Sequence, residues 1–165
     1  MAKIYCDMDG VLVDLLGSIK RHLGTTKLNQ KIIDDFFYSE AGMGTEFWAK
    51  AGWESGGKQL WKYIKSEKPE ILSACPSICN KDRKVIKGKT LWCQDNLGIP
   101  KNRVNIVQRR EKQNFAGKDK ILIDDREKNI HKWQEAGGYG IKYQANENDL
   151  SDISGALKAY KIENT

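Results

Sequence analysis

The sequence predicts an α/β fold: a parallel sheet flanked by helices, with a small and mainly helical insertion after the first strand. Three observations lead there. Short unbroken apolar runs end in polar residues, which fits buried strands of a parallel sheet. Helical patterns lie between those runs, as right-handed strand–helix–strand crossovers require. Residues 15–68 break the alternation with a stretch rich in aromatics and glycine.

The first run is Ile4-Tyr5-Cys6, ending in Asp7-Met8-Asp9-Gly10. The second is Ile71-Leu72, ending in Ser73-Ala74, and the third is Ile121-Leu122-Ile123, ending in Asp124-Asp125. Val104-Asn105-Ile106-Val107 and Gly140-Ile141-Lys142-Tyr143 are further strand candidates. Lys81–Leu97 reads as a helix with Val85, Ile86, Leu91, Trp92 and Leu97 as its apolar positions and Gly98 as its stop. Arg126–Ala136 reads likewise, with Ile130 and Trp133 as core positions and Gly137-Gly138 beyond its end. Ser151–Tyr160 is the last predicted helix.

The 165 residues suffice for one main domain with a small insertion. The expected division is a core of residues 1–14 and 69–165, with 15–68 inserted as a small helical cap over the sheet. A core of this size needs no disulfide staples. No run of about 18 apolar residues is present, and MAKIYCDMDG lacks the pattern of a signal peptide, so a cytosolic protein is expected. Cys6, Cys75, Cys79 and Cys93 form no CxxC pair, and His22 and His131 are far apart in sequence. That spacing argues against a zinc site and for reduced, mostly buried thiols. A net charge of +6 favours anionic partners: a small phosphorylated substrate, a nucleotide or nucleic acid.

Chemistry concentrates at the strand ends. Ligands of open parallel sheets bind at the carboxyl ends of the strands. Asp7, Asp9, Ser73, Asp124 and Asp125 all fall there. Four carboxylates gathered at one edge repel one another, and burial adds to the cost. A divalent cation is the simplest compensation, and oxygen ligands without His or Cys favour Mg²⁺. Asp7 can then attack phosphorus to form an aspartyl-phosphate. Asp9, two residues on, can protonate the leaving oxygen and afterwards activate water. Gly10 allows a sharp turn beside the phosphate. A thiol nucleophile at Cys6 is rejected, because a strand residue there faces away from Asp7.

Asp7-Met8-Asp9-Gly10-Val11-Leu12-Val13-Asp14 resembles the first motif, DxDGxxxD, of the haloacid dehalogenase (HAD) superfamily. Ser73 after an apolar strand resembles the Ser/Thr of its second motif. Lys112 in Arg110-Glu111-Lys112-Gln113 resembles the lysine of its third, and Asp124-Asp125 the paired acids of its fourth. The likeness runs from Ile4 to about Tyr143, with the insertion where that superfamily places its type 1 cap. Ile121-Leu122-Ile123-Asp124-Asp125-Arg126, with Asn129, Trp133, Gly137-Gly138 and Ile141, further resembles the 5′(3′)-deoxyribonucleotidase family and its phage and bacterial relatives. Lys112, 12 residues before Asp124, fits that family's spacing.

These resemblances imply a HAD-like Rossmannoid fold and a Mg²⁺-dependent phosphomonoesterase acting on nucleoside monophosphates. Asp7 would be nucleophile and metal ligand. Asp9 would be the acid and base and would bind metal through its carbonyl. Ser73, the Ala74 N–H and Lys112 would hold the phosphate. Asp125 would bind the metal directly and Asp124 through water, an order that the residues alone do not set. Phe37, Trp48 and Trp53 are candidates for a nucleobase pocket, or else the apolar core of the cap. Asp14 is expected only to complement the dipole of the following helix. A nucleic-acid 3′-end phosphatase and a non-catalytic phospholigand-binding protein are the alternative readings.

Overall fold

A computed structural model describes residues 2–76 and 83–165. Five strands form one parallel sheet in the order β3-β2-β1-β4-β5. They are β1 (Lys3–Cys6), β2 (Glu70–Ala74), β3 (Val104–Val107), β4 (Lys120–Asp124) and β5 (Tyr139–Lys142). Each expected strand is present, with ends moved by one or two residues. The strand order reverses beside β1: β2 and β3 lie on one side of it, β4 and β5 on the other. That reversal opens the crevice where such sheets bind ligands.

Between β1 and β2 the chain is helical: α1 (Leu15–Leu23), α2 (Gln30–Phe37), α3 (Glu40–Met43), α4 (Glu46–Ala49) and α5 (Gly57–Ile64). After β2 come α6 (Lys84–Leu97), α7 (Glu127–Glu135) and α8 (Leu150–Glu163). The expected start of α6 at Lys81 lies outside the described residues. Asp14 has a more definite role than dipole complement: it is the N-cap of α1, accepting from the Gly17 N–H at 2.9 Å.

Strand periodicity sorts the core into two layers. Ile4, Cys6, Ile71, Ile121 and Ile123 point to one face and pack with Trp92, Leu60 and Ile153. Tyr5, Leu72 and Leu122 point to the other and pack with Ile130 and Trp133. Trp133 is wholly buried and meets Tyr5 edge to face at 5.6 Å, which confirms its expected place in the core. Cys6 and Cys93 are buried free thiols as expected. Cys75 is disulfide-bonded, which corrects the expectation of reduced thiols throughout. Spacing along the chain does not say which thiols meet in space; Cys79 lies outside the described residues.

The inserted helices are tied to the core at α6. A Cβ on Gly88 would lie 2.4 Å from the Thr45 carbonyl oxygen and 2.8 Å from the Trp48 Cβ, so only glycine lets α4 approach so closely. Thr45 Oγ1 donates to the Lys84 carbonyl at 3.0 Å, and Trp92 Nε1 to the Ala51 carbonyl at 2.8 Å. Among the described residues no helix is long and apolar enough to cross a membrane.

Replacing Trp133 by Ala should cost about 3–5 kcal/mol, since the layer under β4 cannot close over the void. Urea denaturation of the variant against the parent checks this.

Candidate active site

The site grows from the register of the two central strands. Cys6 pairs with Ile123, so Asp7 emerges beside Asp124, and its N–H donates to the Ile123 carbonyl at 2.9 Å. After Asp7 the chain turns tightly: the N–H groups of Val11, Leu12 and Val13 converge on the Met8 carbonyl. Gly10 takes φ +82°, and a Cβ there would meet Asp125 Oδ2 at 2.3 Å. Glycine therefore serves both the turn and the approach of Asp125 to the Asp7 loop.

Three carboxylates, Asp7, Asp124 and Asp125, bring one oxygen each to within 4.8 Å of one another. Asp124 is completely buried and fully engaged. Its Oδ2 accepts from Lys112 Nζ at 2.8 Å and Asn129 Nδ2 at 3.0 Å, and its Oδ1 from the Arg126 N–H at 2.9 Å. Asp7 Oδ1 and Asp125 Oδ1 are buried with no hydrogen-bond partner. Lys112 Nζ lies 3.0 Å from Asp7 Oδ1, an ion pair. Asp7 Oδ1 has Lys112 as its one close cation and Asp125 Oδ1 has no partner, so a cation would offset the charge of this three-carboxylate cluster. An all-oxygen set of this kind fits Mg²⁺, with Asp7 and Asp125 presenting the open oxygens.

The electrostatics agree. Burial pushes the Asp7 carboxyl up to about 7, against the pull of Lys112 and with the help of Asp124, Asp9 and Asp125. Burial, then Asp124, lifts Asp125 to about 6. Burial opposes the Lys112 charge, but Asp7 and Asp124 outweigh it and raise its pKa. The Cys6 thiol is pushed well up by burial and by Asp7, which makes it a poor nucleophile, as expected.

Asp7, Asp125 and Lys112 belong to the floor of a cavity of about 1230 Å³. Asp7, Asp9, Gly10, Ala74, Lys112 and Asp125 line it from the sheet side. Phe37 and Trp48 line it from the inserted helices, their rings nearly parallel at 6.1 Å. Trp48 is held by its Nε1 donating to the Gly42 carbonyl at 2.9 Å.

Other expected residues fall elsewhere. Trp53 is not on this cavity wall. Its neighbour across a β-bridge is Val13, and its ring packs on Trp92 at 4.9 Å. This corrects the base-pocket expectation for Trp53: a sequence rich in aromatics does not say which of them face the core. Ser73 is fully buried behind the wall, its hydroxyl accepting from Lys89 Nζ at 3.0 Å.

Lys89 was not foreseen. It is 1% exposed and also donates to Asp9 Oδ2 and to the Ala74 carbonyl, both at 2.8 Å. Its sequence signal is its place on the apolar stripe of α6, four residues after Val85 and four before Cys93.

Without metal, carboxyls held above their ordinary range favour the folded state at low pH, and that contribution is lost as pH rises through about 6 and 7. Asp7→Asn should therefore raise Tm relative to the metal-free parent, with a gain that grows between pH 5 and pH 8. Millimolar Mg²⁺ should raise the parent's Tm at pH 8 and leave Asp125→Asn nearly unmoved. Thermal melts at matched ionic strength check both.

No family model matches the sequence, and no curated protein matches it. Solved structures do resemble it in fold. A HAD-superfamily hydrolase from Ehrlichia chaffeensis superposes with a TM-score of 0.53 at 12% identity, covering 96% of this chain and 98% of that one. A β-phosphoglucomutase from Clostridium difficile gives 0.51 at 12% identity, covering 98% and 100%. A phosphonoacetaldehyde hydrolase-like protein from Oleispira antarctica gives 0.50 at 8% identity, covering 98% and 83%. At such identities the likeness speaks to architecture alone: this chain has the fold of HAD-superfamily hydrolases.

Proposed function

We propose that this protein is a Mg²⁺-dependent phosphomonoesterase that works through an aspartyl-phosphate, with a nucleoside monophosphate as substrate. One observation carries the chemistry. Asp7, ion-paired to Lys112 at 3.0 Å, shares a cavity floor with Asp9 and Asp125.

An Asp7 carboxylate oxygen attacks phosphorus, and the ester P–O bond breaks. Asp9 gives its proton to the departing alcohol oxygen. A water then gives a proton to Asp9 and attacks phosphorus; the Asp7–phosphorus bond breaks and inorganic phosphate leaves. Lys112 offsets negative charge on Asp7 and on the phosphoryl group. Asp7 and Asp125 would hold Mg²⁺, with the Asp9 carbonyl, while Asp124 orients Lys112 and the Arg126 N–H. When bound, the metal neutralises charge on the transferring group.

The nucleotide assignment rests on the cavity's second wall. A volume of about 1230 Å³ holds far more than a phosphate group. Phe37, half-buried on the wall formed by the inserted helices, offers a ring for base stacking, and the buried Trp48 backs it at 6.1 Å. Core residues 1–14 and 69–165 supply the chemistry in this reading, and residues 15–68 act as the cap that reads the leaving group.

A panel of deoxyribonucleoside 5′- and 3′-monophosphates with Mg²⁺ should release phosphate, and Asp7→Asn should fall to background. Phe37→Ala should raise KM for the preferred nucleotide on the order of tenfold while leaving p-nitrophenyl phosphate turnover within about twofold. Release only from 3′-phosphorylated oligonucleotides, suppressed by added salt, would move the assignment to a nucleic-acid end phosphatase.

A further inference from the structure

Lys89 lies outside the roles given above, yet it touches three of the groups that matter. Its Nζ has three donors, and three acceptors surround it: Asp9 Oδ2 at 2.8 Å, the Ala74 carbonyl at 2.8 Å and Ser73 Oγ at 3.0 Å. The ammonium is thus satisfied, which is what allows a lysine to be 1% exposed. Its position is fixed from outside as well. The Trp48 ring lies 5.1 Å from Nζ, and Gly88, the preceding residue, is the close contact between α6 and α4. The remaining oxygen of Asp9, Oδ1, is buried and has no partner.

We propose that Lys89 is a positioning residue for the acid step. By holding Asp9 Oδ2 it fixes the carboxyl plane and leaves Oδ1 to carry the proton to the leaving oxygen. Oδ2 keeps accepting from Lys89 whether or not Oδ1 is protonated. The step served is cleavage of the ester bond: the Asp7–phosphorus bond forms, the P–O ester bond breaks, and the proton passes from Asp9 Oδ1 to the alcohol oxygen. By donating to Ser73 Oγ, the same ammonium turns the serine's own proton away from itself. Because Trp48 both lines the cavity and covers Lys89, the wall facing the leaving group and the acid are held by one side chain. This inference rests on the phosphomonoesterase reading.

The test compares leaving groups. An alkyl phosphate such as a deoxyribonucleoside monophosphate needs a proton on its leaving oxygen; p-nitrophenyl phosphate does not. Lys89→Met should lower kcat on the alkyl ester by about 10²-fold, on the scale of general acid catalysis, with KM within about threefold. Its kcat on p-nitrophenyl phosphate should change by less than about fivefold. Lys89→Gln, which can still donate one hydrogen bond to Asp9, should recover part of the loss on the alkyl ester; it also serves if Lys89→Met does not fold. Equal losses on both esters, or no loss on either, in a folded variant would overturn the positioning role while leaving the phosphatase reading intact. A parent enzyme that turns over neither ester would overturn both.

Discussion

Buried negative charge is the constraint around which this fold is arranged. Asp7 and Asp124 stand side by side at the ends of the two central strands because β1 and β4 pair in register. Asp9 and Asp125 join them through the Gly10 turn and the start of the loop before α7. Two buried ammonium groups pair directly with these carboxylates, Lys112 with Asp7 and Asp124 and Lys89 with Asp9, and Arg109 and Arg126 line the same cavity. Asp125 has no ion-pair partner of its own among the described residues, and burial is the largest influence on both Asp7 and Asp125. A protein selected for stability alone would place no such cluster at the meeting point of its central strands; the arrangement makes sense if phosphoryl chemistry is what it is for.

The two lysines divide the work in space. Lys112, from the 3₁₀ segment Arg109–Phe115 after β3, ties Asp7 to Asp124, the nucleophile side of the proposed reaction. Lys89, from α6, ties Asp9 to the end of β2, its proposed acid side. Each is buried and each bonds to a carboxylate, which holds the side chains in place before any ligand arrives. The inserted helices complete the enclosure by docking on α6 at Gly88, close to the second lysine. In the proposed reaction, leaving-group recognition and acid catalysis would share this structural joint.

Much of this was legible in the sequence because strand ends announce themselves. Apolar runs stopping at Asp7, Ser73 and Asp124 gave the sheet and located the acidic edge, and the spacing of Lys112 picked it from a lysine-rich stretch. The inserted segment was legible as helical but not in its facing. Phe37, Trp48 and Trp53 look alike in sequence, and only tertiary contacts send the first two to the cavity and the third against Trp92. Ser73 was found at its strand end, yet its hydroxyl turns to Lys89 rather than to the open cavity. Lys89 is one of three lysines, with Lys84 and Lys87, near the start of α6; its place on the apolar stripe sets it apart, but its role shows only with its partners Asp9 and Ser73 in place. Cys75 shows the same limit, since thiol pairing depends on three-dimensional proximity.

Covalent chemistry at Asp7 is the step on which every other proposed role in this site depends. The most direct measurement is acid quenching during turnover of a deoxyribonucleoside monophosphate with Mg²⁺, followed by mass spectrometry of the peptide that carries Asp7. A phosphoryl adduct of about 80 Da on Asp7, absent from Asp7→Asn and lost by hydrolysis once the substrate is exhausted, is the result expected from nucleophilic catalysis. Steady phosphate release with no adduct on Asp7 at any quench time, and with Asp7→Asn still active, would contradict it.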